Sequence, residues 1–351
     1  MFMIQLEIRK WLSDIDLEVF KRILTECLDV KKDENLLIVG DYGKPGRYVS
    51  PIMTYAYAKA ARQLGLDYKV VFQHSKVRGD IADEVMVSNF RKLPPKSVLI
   101  LNMSDKIGKL DSVGLSFRKF CQDNKHRFLS SSSLASIPNN KLKDLIASYD
   151  INYDALQEKA MKLKEKLDSA TEIHVETKQG TDLIYNVEGM NAVVATGVYR
   201  IPGRGGNLPG GEVYIPPNKK KVNGEIVVDG SSRTRRGTLL LKNPIRMTVK
   251  DGEVVKMNQT YEAKLLEQSL KWAHRNSKYP WGVRRICELG IGLNPKANII
   301  GCTVVDEKKL GTAHFAIGSN AWFGGTVYAI IHLDQVFNDP IIKVDGRVLK
   351  Y

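Results

Sequence analysis

The sequence predicts an α/β amino-terminal domain with an open, mainly parallel sheet, joined to a β-rich α+β carboxy-terminal domain. Two observations lead there. Over the first half, short and wholly apolar runs alternate with helical segments, the order that winds a parallel sheet through crossovers. Beyond Ala170 the texture changes to alternating strand segments punctuated by turn residues. A chain of 351 residues accommodates two domains at ~100–200 residues each, and the expected division is 1–165 and 166–351.

The elements follow in order. Met1–Lys10 mixes charge among its apolar residues and no small-residue cleavage site follows, so it does not read as a signal peptide. Leu36-Leu-Ile-Val39 is apolar at every position, as suits a strand covered on both faces. It runs into Gly40-Asp-Tyr-Gly-Lys-Pro-Gly46, which lies between strand and helix, the setting of a phosphate loop. The spacing matches neither the dinucleotide fingerprint nor the Walker A sequence, so the loop reads as a plain βα connection and no nucleotide cofactor is assigned. A helix is expected over Pro51–Leu64, with Ser50 as N-cap, Pro51 in the first turn and Gly65 as the stop. Strands at Tyr68–Phe72, Ser97–Asn102 and Arg127–Ser130 and a helix near Leu115–Gln122 continue the alternation. Asn152–Ala170 is a charge-rich helix whose Leu156, Ala160, Leu163 and Leu167 recur at three and four residues, giving one buried face. Strand segments then start at Glu172, Thr181, Gly224 and Ile245. They are interrupted by a helix over Gln259–Arg275 with Leu265, Leu266, Leu270 and Trp272 on its core side.

Composition narrows the possible functions. Charged residues are 26% and apolar residues 43%, ordinary globular usage. No apolar run approaches the ~20 residues of a membrane span. Four cysteines far apart, with no C-x-x-C pair, argue against a disulfide framework or a thiolate zinc site, so a cytoplasmic location is expected. Fifty-three Lys and Arg against 39 Asp and Glu give a net charge of +14. The basic residues are dispersed, with local clusters only at Lys219–Lys221 and Arg233–Arg236, so nucleic acid is not the expected partner.

Four segments of the second half carry residues capable of chemistry. The first, Asn207-Leu-Pro-Gly-Gly-Glu212-Val, ends a stretch with five glycines in the nine residues Gly203–Gly211. The second is Glu288-Leu-Gly-Ile-Gly-Leu-Asn294-Pro295. The third is Asp306-Glu307-Lys308, followed by Gly311-Thr-Ala-His314. The fourth is His332-Leu-Asp334, whose two polar side chains share one face if the segment is a strand. Taken singly, each residue has a bland reading: a hydrogen-bonded core histidine, or an ion-paired carboxylate. Taken together, Glu212 and Glu288 lie in apolar, glycine-rich surroundings where an unpaired carboxylate is costly, and a shared cation removes that cost. Two imidazoles and three carboxylates without a thiolate suit zinc, cobalt or manganese, as one ion or a pair. The carboxy-terminal domain is therefore expected to carry a metal site. His74, His126, His174 and His274 have no such setting and read as structural or surface residues.

At these motifs, and at Val344-Asp345-Gly346, the chain resembles the M29 metallopeptidases, the thermophilic aminopeptidase, aminopeptidase T and S group. The resemblance covers most of the chain, with specific motifs from about residue 180 onward. It implies an α/β domain followed by a domain holding two divalent ions, and a homodimer. It also implies Glu212, Glu288, His314, His332 and Asp334 as metal ligands, with Glu288 as the base on metal-held water. The chain departs from the pattern in one respect. The aminopeptidases place a catalytic Tyr shortly after the third-motif His, whereas here Ser319-Asn-Ala-Trp-Phe-Gly-Gly325 follows and no Tyr occurs until Tyr328.

The leading expectation is a metal-dependent aminopeptidase acting on peptides, with Glu307 holding the substrate's α-amino group, unless Asp306–Lys308 is a solvated turn. Tyr328, Lys308 or a water would complete the set in place of the missing phenol. The first alternative is a non-haem Fe(II) ring-cleaving dioxygenase resembling the same structural family, with His314, His332 and Asp334 as a two-histidine, one-carboxylate triad. The missing Tyr favours it, and the presence of both Glu212 and Glu288 disfavours it. The second alternative is a non-catalytic relative binding peptides, or nucleic acid through the two basic clusters.

Overall fold

A computed structural model of the chain describes residues 10–77, 79–110 and 116–351. The signal-peptide question at Met1–Lys10 and the start of the expected helix at Leu115 fall outside the described residues, Lys10 excepted. The chain packs as two units. One comprises residues up to Tyr153 together with Gly197–Gly210; the other comprises Asp154–Thr196 and Gly211–Tyr351. The expected boundary at 165 falls within a helix that belongs, from Asp154 on, to the second unit. A later segment returns to the first.

The first unit is built on a five-stranded parallel sheet. Its order is Tyr68–Gln73, Leu36–Asp41, Val98–Asn102, Arg127–Ser131 and Gly205–Asn207. Leu36–Asp41 and Val98–Asn102 are buried at every position, as their unbroken apolar runs require. Met86, Phe90, Phe120, Cys121 and Phe128 form part of the packed core beside Leu37, Val39, Leu99 and Leu101. The helix after the first strand spans Val49–Gln63. Ser50 is therefore not its N-cap but lies inside the first turn, fully buried, where its hydroxyl donates to the Asn102 carbonyl at 2.7 Å. The Gly40–Gly46 connection is stapled by buried Asp41, whose carboxylate accepts from the Gly43 amide at 2.9 Å and the Ser104 amide at 2.6 Å. The helix expected near Leu115–Gln122 lies at Phe117–Asp123.

The second unit has two seven-stranded antiparallel sheets. The first runs Glu253–Met257, Ile245–Lys250, Val222–Val228, Asp182–Asn186, Glu172–Glu176, Ile341–Val344 and Arg347–Val348. The second runs Gly237–Leu240, Ser231–Thr234, His332–Asn338, Thr312–Gly318, Ile286–Gly292, Glu212–Ile215 and Val193–Ala195. Alternating burial in Asp182–Asn186 and Ile245–Lys250 marks half-solvated strands, whereas Ile286–Gly292 and Thr312–Gly318 are buried throughout. The predicted fold class is the observed one: a parallel α/β unit and an antiparallel, β-rich unit.

Two helices of this unit follow their sequence patterns. Tyr153–Asp168 buries Leu156, Ala160, Leu163 and Leu167. Tyr261–Asn276 begins at Thr260, whose hydroxyl accepts from the Ala263 amide at 3.3 Å. On that second helix Leu266 and Leu270 are buried as expected, but Leu265 and Trp272 are only half-buried. Trp272 instead carries the Arg235 guanidinium 4.3 Å over its ring. No described helix is long and apolar enough to cross a membrane.

Candidate metal centre

Register dictates where the predicted residues meet. In the second sheet of the second unit Gly292 pairs with Glu212, Gly290 with His314, Glu288 with Ala316, Ala316 with Asp334, and Gly318 with His332. Paired positions and positions two apart share a face. Glu212, Glu288, His314, His332 and Asp334 therefore project from one face of four adjacent strands, although 122 residues of sequence separate the first from the last.

The intervening positions on that face are small for a physical reason. A Cβ on Gly290 would lie 2.1 Å from His314 Cε1 and 2.3 Å from its Nε2, so the imidazole lies flat over a bare backbone. Gly211, at φ +128°, precedes Glu212, and a Cβ there would meet Asn294 Cβ at 2.6 Å. That close approach lets the Leu293 amide donate to the Gly211 carbonyl at 2.8 Å, while the Asn294 amide donates to the Lys308 carbonyl at 2.7 Å. The glycine-rich, Asn-Pro and Glu-Lys motifs are thereby tied at one edge of the centre.

Glu288 sits between the two imidazoles. Its Oε1 is 3.1 Å from His314 Nε2 and its Oε2 is 3.3 Å from His332 Nε2. His332 Nε2 is also 3.0 Å from Asp334 Oδ1. The other ring nitrogen of His332 lies 2.8 Å from the Ser319 carbonyl, an acceptor only, so Nδ1 carries the proton and Nε2 is the free donor atom toward the centre. On the far side, the fully buried Lys308 ammonium contacts the carboxylates of Glu212 and Glu307. His314 Nε2 is 3.7 Å from Glu212 Oε2.

Electrostatics follow from this crowding. Burial disfavours the charged imidazole of His314, but Glu288, Glu212 and Glu307 outweigh it and hold the group up at about 9. His332 is likewise raised, burial being overcome chiefly by Asp334. Burial works against the carboxylates of Glu288 and Asp334, yet the adjacent imidazoles win and both fall below the usual range. Glu307 moves the other way, to about 8, because burial and the charges of Glu212 and Asp334 exceed the pull of Lys308.

The donor set fits a metal ion. Glu212, Glu307 and His314 form one group of potential ligand atoms within 4.8 Å of one another, and Glu288, His332 and Asp334 form a second. Four buried or nearly buried carboxylates share this face with one ammonium and two imidazoles, and a divalent cation would take over from protonated imidazoles in offsetting the carboxylate charge. Glu212 Oε2 and His314 Nδ1 are buried with no hydrogen-bond partner, a cost that ligation at such atoms would relieve.

All five predicted residues converge. Asp306–Lys308 is not a solvated turn: Asp306 is fully buried, Lys308 nearly so, and Glu307 largely so. Sequence reasoning did not foresee that Lys308 clamps Glu212, since nothing local distinguishes a Lys that crosses to another strand. Tyr328 is half-exposed against Tyr279, with ring centroids 5.6 Å apart. Trp322 packs edge-on to His332 with centroids 4.8 Å apart. Of the four other histidines, His126 is buried, His174 is bonded to Asp182 at 2.6 Å, His74 approaches Asp83 at 3.0 Å, and His274 is exposed.

A parallel α/β unit, with an antiparallel unit that gathers imidazoles and carboxylates on one sheet face, defines a class of protein equipped for a metal centre. Within that class, the 2,5-dihydroxypyridine 5,6-dioxygenase family, NicX, matches residues 16–350, and the chain belongs to this family of enzymes. A 2,5-dihydroxypyridine 5,6-dioxygenase of Pseudomonas putida is 23% identical over 192 residues, 52% of this chain and 53% of that protein, so the chain spans about half the length of that curated relative. The solved structure of the 2,5-dihydroxypyridine dioxygenase from Pseudomonas putida superposes with a TM-score of 0.71 at 18% identity, covering 95% of this chain and 94% of that one. AmpT from Thermus thermophilus superposes at 0.63 with 15% identity, covering 97% and 100%. Both superpositions show the fold.

These findings correct the leading expectation from sequence. The resemblance to the aminopeptidases holds for the fold, but the family match overturns the assignment as a peptidase, and with it the hydrolase reading. In this chain the motifs encode the sheet face and its glycine clearances. The missing phenol after His314 was the local sign that the chemistry differs.

Proposed function

We propose that the chain is a metal-dependent dioxygenase that opens the ring of 2,5-dihydroxypyridine or a closely related hydroxylated pyridine. The observation that carries this reading is the family match over nearly the whole chain, set beside a donor cluster that includes two imidazoles. His314, His332 and Asp334 would supply the two-histidine, one-carboxylate set suited to non-haem iron, with Glu288 between the two rings. When bound, such an iron offers open positions for substrate and oxygen. The chain's own residues do the rest. The Ser319 carbonyl fixes the His332 tautomer. The Lys308 ammonium bridges the Glu212 and Glu307 carboxylates. Glu288, with its carboxylate oxygens 3.1 Å from His314 Nε2 and 3.3 Å from His332 Nε2, is positioned to take a proton from a hydroxyl brought to the centre.

The test is anaerobic reconstitution with Fe(II), elemental analysis, and oxygen uptake with 2,5-dihydroxypyridine followed by loss of the ring chromophore. Stoichiometric oxygen consumption is expected. Iron-loaded protein that binds and consumes neither compound would refute the reading.

A further inference from the structure

The exposure of the cluster is graded, and the gradient shows where a substrate enters. The side chains of Glu212, His314 and Glu288 are 9%, 1% and 6% exposed, whereas those of His332 and Asp334 are 20% and 14% exposed. The centre opens on the His332–Asp334 side. At that mouth stands Trp322, 60% exposed although it is a large aromatic, edge-on to the His332 ring at 4.8 Å. Behind it lie Phe323, 5.2 Å from Trp322 and 6.2 Å from His332, and Tyr214, 5.1 Å from Phe323.

The turn that carries Trp322 is built rather than loose. Ala321–Phe323 is a single 3-10 turn that follows fully buried Asn320. The Asn320 side chain uses both ends: its Nδ2 donates to the Cys287 carbonyl at 2.9 Å, and its Oδ1 accepts from the Val327 amide at 2.8 Å. Its backbone amide donates to the Val327 carbonyl at 3.0 Å, and its carbonyl accepts from the Phe323 and Gly325 amides. A Cβ on Gly325 would lie 2.0 Å from Asn320 Cγ, so the turn closes only around glycine. Asn320 thus locks the indole's backbone to Cys287, the residue before Glu288. An exposed indole on a rigid turn at the mouth of a polar centre is apolar surface held in water for a purpose.

We infer that Trp322 is the stacking wall for a planar aromatic substrate and selects flat heterocycles over saturated or peptide-like molecules. The inference rests on the dioxygenase reading and adds to it the residue that recognises the ring. Indole offers a large, rigid face to a flat ring at little entropic cost.

The test is anaerobic titration of the Fe(II)-loaded full chain with 2,5-dihydroxypyridine, reading both Kd and quenching of tryptophan emission, in wild type, Trp322→Phe and Trp322→Leu. Phe keeps an aromatic face, so its Kd should stay within about twofold, while Leu should weaken binding about five- to tenfold at unchanged iron content. Ligand-induced quenching should largely vanish in Trp322→Phe, which decides the question if the Leu variant folds poorly. Equal affinity in a folded Leu variant, or undiminished quenching in the Phe variant, overturns the inference. If wild type consumes oxygen while either of those holds, the stacking role alone fails. If wild type neither binds nor turns over the pyridine, both readings fall together.

Discussion

The clearance above Gly290 offers a sharp perturbation of the centre. Gly290→Ala places a methyl 2.1 Å from His314 Cε1, 2.3 Å from Nε2 and 2.9 Å from Nδ1. Carbon atoms pack at about 3.5–4.0 Å, so the ring must retreat by roughly 1.4 Å. His314 is 1% exposed and its strand is buried at every position, so there is no free space into which it can swing. The same shift breaks its 3.1 Å approach to Glu288. Overpacking of this kind costs about 1–3 kcal/mol of stability. Displacing a proposed ligand by more than an ångström should weaken metal binding by at least the 10–100-fold typical of outer-shell changes. Chelator competition and thermal melts of metal-free protein read the two effects separately. In a His314→Ala background the clashing atoms are absent, so adding Gly290→Ala should cost little further stability, and the cycle isolates the contact. Equal costs in the two backgrounds, or undiminished metal affinity in the single variant, would show that the glycine serves something other than His314.

Two further outcomes are expected. Lys308→Met leaves Glu212 and Glu307 buried without their ammonium and should destabilise the metal-free protein by about 3–5 kcal/mol, read as a denaturant midpoint shift; a change under 1 kcal/mol would mean the pair is not held as described. His126 is buried against Phe120 and burial lowers it to about 4 from an ordinary 6.5. The native ring therefore stays neutral while the unfolded ring takes up a proton below 6.5, so stability falls as pH drops from 6.5 towards 4, by on the order of 2 kcal/mol. His126→Phe should remove that share of the acid-side slope in urea titrations at successive pH values, and an unaltered slope would assign the loss to other groups.

What the sequence could and could not disclose has a common physical origin. The parallel sheet was legible because Leu36–Val39 and Val98–Leu101 must be covered on both faces, a constraint written into consecutive residues. The five centre residues were legible because carboxylates amid glycine and apolar residues need a partner, and the strand period places His332 and Asp334 together. Ser50 was misplaced as a cap because its hydroxyl is claimed by the Asn102 carbonyl, 52 residues away. Lys308 was not foreseen as a clamp for the same reason: its partner Glu212 is set by pairing between strands, not by proximity along the chain.

The reaction itself was misjudged because imidazoles and carboxylates gathered on one sheet face indicate a cation without indicating the reaction. In this chain the departure from the aminopeptidase pattern lies at the mouth, not in the cluster. After the His314 strand the chain turns at Asn320 and presents an indole where the aminopeptidase pattern calls for a phenol. A phenol can donate a proton to an oxyanion; an indole beside His332 can only offer a face and an N–H. Its position, edge-on to an imidazole at the open side of the centre, suits a flat guest and leaves amide hydrolysis without that donor. The local departure in sequence and the family match therefore point the same way, away from a peptidase.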